Sequence, residues 1–287
     1  MLKLAVHLHI YYQQMWDDIR AYLENIGDYP YHLCVTLSAD NNELKKQISD
    51  FHPDCEFAVL ENRGYDVAPF IWFLHHTDLQ KYDLILKIHT KNRFGGVDTL
   101  INGRYLSRKL WWNCLIGDLI GSAKIFKNNI KAFKDENLGM IGSRYLITAD
   151  DSNSAPVRRS VISHMKKLGY QNFEFLYVAG TMFFVRASLM QVIKENYDFK
   201  DFELTDAKIK NGSLAHVMER LFGCVVGAQG YTIKGIYFAV NISMKAQIIR
   251  IKRFFYQKKK TQKGFLIVKI CKIPVWHQKV TTELPRI

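Results

Sequence analysis

From Leu4 to Ile88 the chain alternates nearly unbroken apolar runs with stretches whose apolar residues recur at helical spacing. Leu4 to Ile10 reads as a buried strand, and Met15 to Ile26 as a helix that gathers Trp16, Ile19, Leu23 and Ile26 on one side. A second strand spans Tyr31 to Leu37 and ends in Ser38-Ala39-Asp40-Asn41, a polar cluster able to cap a helix over Glu43 to Phe51. Cys55 to Leu60 and Tyr82 to Ile88 read as two further strands, with a helix from Pro69 to His75 between them. Alternation of this kind predicts a mainly parallel sheet with helices on both faces. Ligands of such sheets bind beyond the carboxyl ends of the strands. Glu61 to Phe70 and His89 to Arg93 lie there.

The rest of the chain is less regular. Phe94-Gly95-Gly96 reads as a loop, Leu106 to Phe133 as largely helical, Leu138 to Ser143 as a short strand and Ala149 to Pro156 as a loop rich in Asp, Ser and Asn. Phe175 to Val185 is an apolar strand interrupted by Ala179-Gly180-Thr181, and Leu214 to Phe222 is a helix. Neither an internal repeat nor a low-complexity tract appears. The expectation is one α/β domain over residues 1–244 followed by a basic helical appendage over 245–287.

At 287 residues and 33.5 kDa the chain can bury one large α/β core or two small ones. Its 48% hydrophobic and 23% charged residues are ordinary for a globular protein. No run approaches the roughly 18 to 20 apolar residues of a membrane span, and Met1 to Ile10 is too short and polar for a signal peptide. The five cysteines are scattered without CxxC spacing, which fits reduced thiols in the cytosol. Net charge is the outlier, at +13. Lys245 to Lys272 holds cations and no acid, interleaved with Ile248, Ile249, Ile251, Phe254, Phe255 and Tyr256. Three readings stay open: an amphipathic element for an anionic membrane surface, a solvated helix docked on the domain, and a nucleic-acid contact.

Four segments carry the candidate chemistry. Asn62-Arg63-Gly64-Tyr65-Asp66 follows a strand and precedes a helix. Gly64 permits a positive φ or a close ligand approach, and Arg63 offers a forked donor to a pyrophosphate. Asp66 suits a ribose, a sugar hydroxyl or a metal. His89-Thr90-Lys91 puts cations at the end of the fourth strand, where a departing diphosphate would need neutralising. Gly180 and Thr181 would let a ligand approach the backbone. Asp206, Glu203 and Glu219 are the carboxylates available as a base for an acceptor hydroxyl. His216, Glu219 and Arg220 share one face of the last helix. Each segment also has a plain structural reading: a capped turn, a buried histidine, a core strand and a Glu219–Arg220 ion pair.

The order and spacing of these four segments resemble the rhamnan synthesis protein F family, glycosyltransferases of bacterial surface polysaccharides, from about Val6 to about Gly230. The resemblance implies a GT-A-like fold. It also implies transfer of rhamnose or another hexose from a dTDP or UDP donor to a lipid-linked O-antigen, rhamnan or capsule chain, on the cytoplasmic face of the plasma membrane. Asn62, Arg63, Gly64, Asp66, His89, Lys91, Gly180, Thr181, His216 and Arg220 then become donor-site residues. Many GT-A enzymes carry a metal-binding Asp-x-Asp where this chain has His89-Thr90-Lys91, so a divalent metal is compatible with the family but its usual motif is missing. The family places an Asp before the Gly-Ser/Thr that opens the last helix, and this chain has Asn211-Gly212-Ser213. Asn cannot act as a base, which turns attention to Asp206. The alternative is a non-catalytic nucleotide-sugar or glycan-binding assembly subunit. No P-loop, GxGxxG, GxSxG, HExxH or zinc spacing points to another class, and no nucleic-acid partner is expected.

Overall fold

A computed structural model describes residues 1–91, 99–102, 104–149, 155–205, 213–236, 248, 251–252, 254–260, 265–271 and 273–279. In chain order the regular elements are β1 (Leu4–Ile10), α1 (Trp16–Leu23), β2 (Tyr31–Leu37), α2 (Asn42–Phe51), β3 (Glu56–Val59), α3 (Val67–His76), β4 (Leu84–His89), β5 (Thr99–Ile101) and β6 (Arg104–Leu106). They continue with α4 (Arg108–Ile120), α5 (Ala123–Ala132), β7 (Leu138–Ser143), β8 (Ile147–Thr148), α6 (Ala155–Lys167), β9 (Tyr177–Val178), β10 (Phe183–Arg186), α7 (Gln191–Asn196) and α8 (Leu214–Ala228). Last come β11 (Thr232–Ile236), β12 (Tyr256–Lys260), β13 (Phe265–Ile270) and β14 (Ile273–Lys279).

The chain divides into two compact units, Met1–Arg93 with Trp112–Phe238, and Phe94–Trp111 with Ala239–Ile287. The first unit is built on a seven-stranded sheet in the order β11-β7-β10-β4-β1-β2-β3. Every neighbouring pair is parallel except those of β10, which runs against both β4 and β7. All seven residues of β1 and all six of β4 are buried, as expected of strands covered on both faces. Side chains alternate between those faces. Phe183 meets Phe70 and Phe222 of α3 and α8 on one side, and its neighbour Phe184 meets Phe126 of α5 on the other.

Local chemistry sets the element boundaries. The Asn41 side chain accepts from the Leu44 amide at 3.0 Å and starts α2 where the polar cluster predicts. The largely helical stretch expected over Leu106 to Phe133 consists of two helices, α4 and α5. A Cβ on Gly121 would lie 2.3 Å from the Gly117 carbonyl, and Ser122 caps α5 through the Ile125 amide at 3.2 Å. The loop expected over Ala149 to Pro156 ends at α6, with Pro156 in its first turn. Residues 150–154 lie outside the described residues.

The second unit corrects the helical appendage. Helical backbone among its described C-terminal residues is confined to 248, 251–252 and 254–255. β12, β13 and β14 then form a three-stranded antiparallel sheet. Phe265-Leu266-Ile267-Val268 and Ile273-Pro274-Val275-Trp276 are rich in β-branched and aromatic residues, which fit a pleated surface. A density of lysines has no period, so the charge pattern could not separate strand from helix. Among the described residues no helix is long and apolar enough to cross a membrane.

Candidate functional site

The carboxyl edge of the parallel strands carries a buried polar row. The register pairs His7 with Lys87 and His9 with His89 across β1 and β4, and His9 with Thr36 across β1 and β2. Paired and alternate positions share a face, so these side chains line one side of the sheet beneath α3. The Thr36 hydroxyl lies 3.0 Å from both His7 Nε2 and His9 Nδ1. It can donate to one ring while accepting from the other. Burial drives the pKa of His7 well below the usual imidazole value, that of His9 down to about 3 and that of His89 down to about 4. All three rings are therefore neutral at neutral pH.

Asp66 is the node of the site. Lys87, with no exposed surface, places its Nζ 2.5 Å from Asp66 Oδ2 and 2.9 Å from the Thr181 carbonyl. The ammonium also lies 5.5 Å and 6.0 Å from the ring centres of Phe70 and Phe183. The Thr181 hydroxyl donates to the same Asp66 oxygen, and His89 Nε2 stands 3.6 Å from it. Burial works against the Asp66 charge, yet His89, Lys87 and the hydrogen bonds from Lys87 and Thr181 outweigh it and hold the carboxyl well below its usual range. Burial likewise lowers Lys87, opposed by Asp66. The geometry is that of a largely buried ion pair, the lysine wholly covered and the carboxylate 16% exposed, with further hydrogen bonds to Thr181 on both ions.

Two left-handed turns frame this node. In the first, Gly64 and Tyr65 have φ of 51° and 58°. A Cβ on Gly64 would sit 2.6 Å from the Phe202 ring, so only glycine fits there without displacing that side chain. The turn pairs with residues 202–205. Gly64 donates to the Glu203 carbonyl at 3.1 Å, Thr205 to the Asn62 carbonyl at 2.7 Å and the Tyr65 amide to the Thr205 hydroxyl at 3.2 Å. Arg63 joins this arrangement: Nη1 donates to the Phe202 carbonyl at 2.9 Å and Nε to Glu61 at 2.8 Å. Its side chain, 24% exposed, clasps protein on two sides rather than presenting an open fork.

In the second turn Gly180 and Thr181 have φ of 87° and 54°. A β-branched residue in that region is strained and needs its surroundings to hold it. Lys87 binds the Thr181 carbonyl, His89 Nε2 lies 3.0 Å from the Gly180 carbonyl, and Glu219 Oε1 accepts from the Gly180 amide at 2.6 Å. A neutral His89 has one N–H, so its tautomer decides whether Nε2 donates to the Gly180 carbonyl or Nδ1 to the Thr90 carbonyl 3.1 Å away. The other Glu219 oxygen accepts from Arg220 at 2.7 Å, and Arg220 also donates to the His216 carbonyl at 2.8 Å and lies over the Tyr177 ring. His216 Nδ1 is 2.8 Å from the Ser213 hydroxyl, and its ring meets the edge of Tyr65 at 5.8 Å.

The four segments thus meet in one place. Asp66, His89, Gly180, Thr181 and Glu219 form a continuous chain of contacts, joined through Gly64 and Tyr65 to Asn62, Arg63, Glu203 and His216. Lys91 is half-buried at the end of β4. Asp206 and Asn211 lie outside the described residues. Glu219 has both oxygens engaged and fixes the Gly180 turn, while Glu203 is exposed beside the Gly64 turn. Lys87, His7, His9 and Thr36 were not among the residues expected at the site. Their signal was present as His7-x-His9 and Lys87-x-His89, polar residues two apart in strands otherwise wholly apolar. Among the described residues no three His, Cys, Asp or Glu side chains are arranged to hold a metal ion.

Residues 1–231 match the family described as rhamnan synthesis protein F. An uncharacterized protein, WxcX, of Xanthomonas campestris pv. campestris (strain B100) is 23% identical over 250 residues, which cover 83% of this chain and 33% of WxcX. The chain thus spans about a third of the length of the curated relatives it matches. Similar solved structures include S. aureus TarS residues 1–349, at 12% identity and a TM-score of 0.45 over 87% of this chain and 64% of that one. A mannosyltransferase from Pyrobaculum calidifontis, in complex with GDP-Man and Mn2+, is 12% identical with a TM-score of 0.43 over 88% of this chain and 61% of that one.

Proposed function

We propose that this chain, which belongs to the rhamnan synthesis protein F family, transfers rhamnose or another hexose from a nucleotide diphosphate donor to a lipid-linked glycan. The acceptor would be a bacterial surface polysaccharide such as an O-antigen, met at the cytoplasmic face of the plasma membrane. One observation carries the reading: three polar segments meet at Asp66, and a fourth joins them through Gly180, at the carboxyl edge of a mainly parallel sheet, where such sheets take their ligands.

The residues divide into two groups. Asp66, Lys87, Thr181 and His89 are a scaffold behind the cleft, since their polar atoms bind one another. Glu219 and Arg220 belong to the same support. The Gly64–Tyr65 and Gly180–Thr181 turns, whose amides also bind within the protein, shape the wall, and Lys91 and His216 form the ligand-facing group. In direct displacement, a carboxylate takes the proton of the acceptor hydroxyl as its oxygen bonds to the anomeric carbon. The bond to the diphosphate breaks, and its electrons leave on the nucleotide, where Lys91 opposes the new charge. Glu203 and Asp206 are the base candidates, because Glu219 already binds Gly180 and Arg220.

The engagement of Glu219 and Asn211 in place of the family acid favour a second reading, a non-catalytic subunit that binds nucleotide sugar or glycan. A nucleotide-release assay across dTDP-, UDP- and GDP-hexoses, run with and without lipid-linked acceptor, separates the two. Acceptor-dependent release supports transfer. Donor or glycan binding without release supports the second reading.

A further inference from the structure

The second unit carries an exposed apolar surface of its own. In its antiparallel sheet Tyr256 stands opposite Ile270, Ile270 opposite Ile273, and Val268 opposite Trp276. Directly opposed residues share a face, and Val268 and Ile270 are two apart on β13, so both rows lie on the same side. A register shift between Val268 and Lys269 leaves Val275 as the extra residue of the facing strand. Packed cores hide such residues. Here Tyr256 is 56%, Ile270 49%, Ile273 65% and Trp276 45% exposed. Phe254 and Phe255 are exposed just before the sheet, ring edge to ring face at 5.4 Å. A contiguous apolar patch of this kind marks an interaction surface.

Charge identifies what the patch fits. Between Glu219 and Glu283 the sequence holds no acidic residue, while Lys245, Arg250, Lys252, Lys258, Lys269 and Lys279 are among its cations. In the register Lys258 stands opposite Val268 and Lys260 opposite Leu266, so basic positions continue the apolar rows. A partner must therefore offer negative charge and an apolar layer side by side. Nucleic-acid phosphates satisfy the cations but give Ile270, Ile273 and Val275 nothing to enter. Anionic headgroups over acyl chains satisfy both, with Trp276 and Tyr256 suited to the boundary between them.

We propose that the β12–β14 sheet is a membrane-binding platform that seats Tyr256, Ile270, Ile273 and Trp276 at the headgroup–acyl boundary of an anionic bilayer. The proposal rests on this surface alone and stands whether or not the cleft transfers sugar.

The test uses the full chain, vesicles of phosphatidylcholine with or without phosphatidylglycerol, and lipids brominated along the acyl chain. Sedimentation should show binding that requires phosphatidylglycerol and falls about tenfold or more at several times physiological salt, as screening shortens to a few Å. Brominated lipid should quench tryptophan fluorescence in the wild type, and Trp276→Phe should remove that quenching while circular dichroism and binding stay nearly unchanged. Ile270→Ser with Ile273→Ser should weaken binding in a protein that melts normally. The proposal is overturned by equal binding to neutral vesicles, by adsorption without quenching, by quenching that survives in Trp276→Phe, or by tight binding to duplex DNA with none to vesicles. Concentration-dependent self-association that shields Trp276 without lipid would also overturn it, assigning the face to a second copy.

Discussion

The Asp66 carboxylate and the Lys87 ammonium stand 2.5 Å apart at the junction of three polar segments that lie far apart in the sequence. Lys87 comes from the middle of a wholly buried strand, and Asp66 from the turn before α3. Their pairing lets a charged group lie against Phe70 and Phe183, because each ion replaces water for the other. Through Thr181 the pair also holds a left-handed backbone that glycine alone would adopt readily.

Breaking this pair on one side should therefore be worse than removing it whole. Lys87→Met leaves a largely buried Asp66 beside two neutral partners and should destabilise the protein by about 3 kcal/mol. Asp66→Asn combined with Lys87→Met should recover most of that loss. Chemical denaturation of the single and double variants measures the coupling. Additive losses would show that the two residues act separately.

Stability should fall as pH falls below about 6.5, the value of a free imidazole. His9 and His89 have folded values of about 3 and about 4, so between those values and the free one the unfolded chain binds protons that the folded chain refuses. His7, lowered in the same direction, adds to the effect. Asp66 contributes lower down: its stabilisation is present above the unfolded carboxyl value and is lost as pH falls through its depressed folded value. Each histidine adds a slope of up to about 1.4 kcal/mol per pH unit. Denaturation midpoints across this range should show the slope, and His9→Gln should lower it by about one proton. An unchanged slope would place the titration elsewhere.

Gly64→Ala tests the first turn. Positive φ and the approach of Phe202 together should make it destabilising by roughly 1–3 kcal/mol. If the turn lines a donor site, the donor KM should rise as well. Gly27→Ala, at φ of 62° with open space around it, is the control for backbone strain alone.

Much of the first unit was legible because burial on both faces leaves simple signatures. Nearly unbroken apolar runs marked β1, β2 and β4, and Asn41 marked the start of α2. The rule that parallel strands present their carboxyl ends together brings in two of the four segments, those after β3 and β4. The Gly180 turn reaches the same edge from the amino end of the antiparallel β10, and Glu219 from α8. The partnerships within the site were not legible. Which hydrogen bonds Arg63, Thr181 and Glu219 make depends on residues 202–205 and on the Gly180 turn, contacts that no local spacing encodes. Lys87 was given no role of its own because one lysine in an apolar run resembles an edge residue until its partner is known. The C-terminal sheet was hidden by its charge.

The carboxylates should separate by role. Asp206→Asn or Glu203→Gln, whichever removes the base, should lower turnover by about 100-fold or more with donor binding near normal. Glu219→Gln should instead act through the Gly180 turn and raise the donor KM, because its two oxygens already bind Gly180 and Arg220. Single-turnover kinetics alongside calorimetric donor affinities make the distinction. A pure turnover defect in Glu219→Gln would return the base to that residue.

Most direct is the transfer of a labelled hexose from its nucleotide diphosphate to a lipid-linked acceptor, measured for the wild type and for Asp66→Asn combined with Lys87→Met, the variant expected to stay folded. The wild type should give labelled lipid product and stoichiometric nucleotide release, with both reduced by about 100-fold or more in the double variant. Equal transfer by the two proteins would contradict a cleft organised on Asp66. Donor binding without transfer by the wild type would contradict catalysis itself.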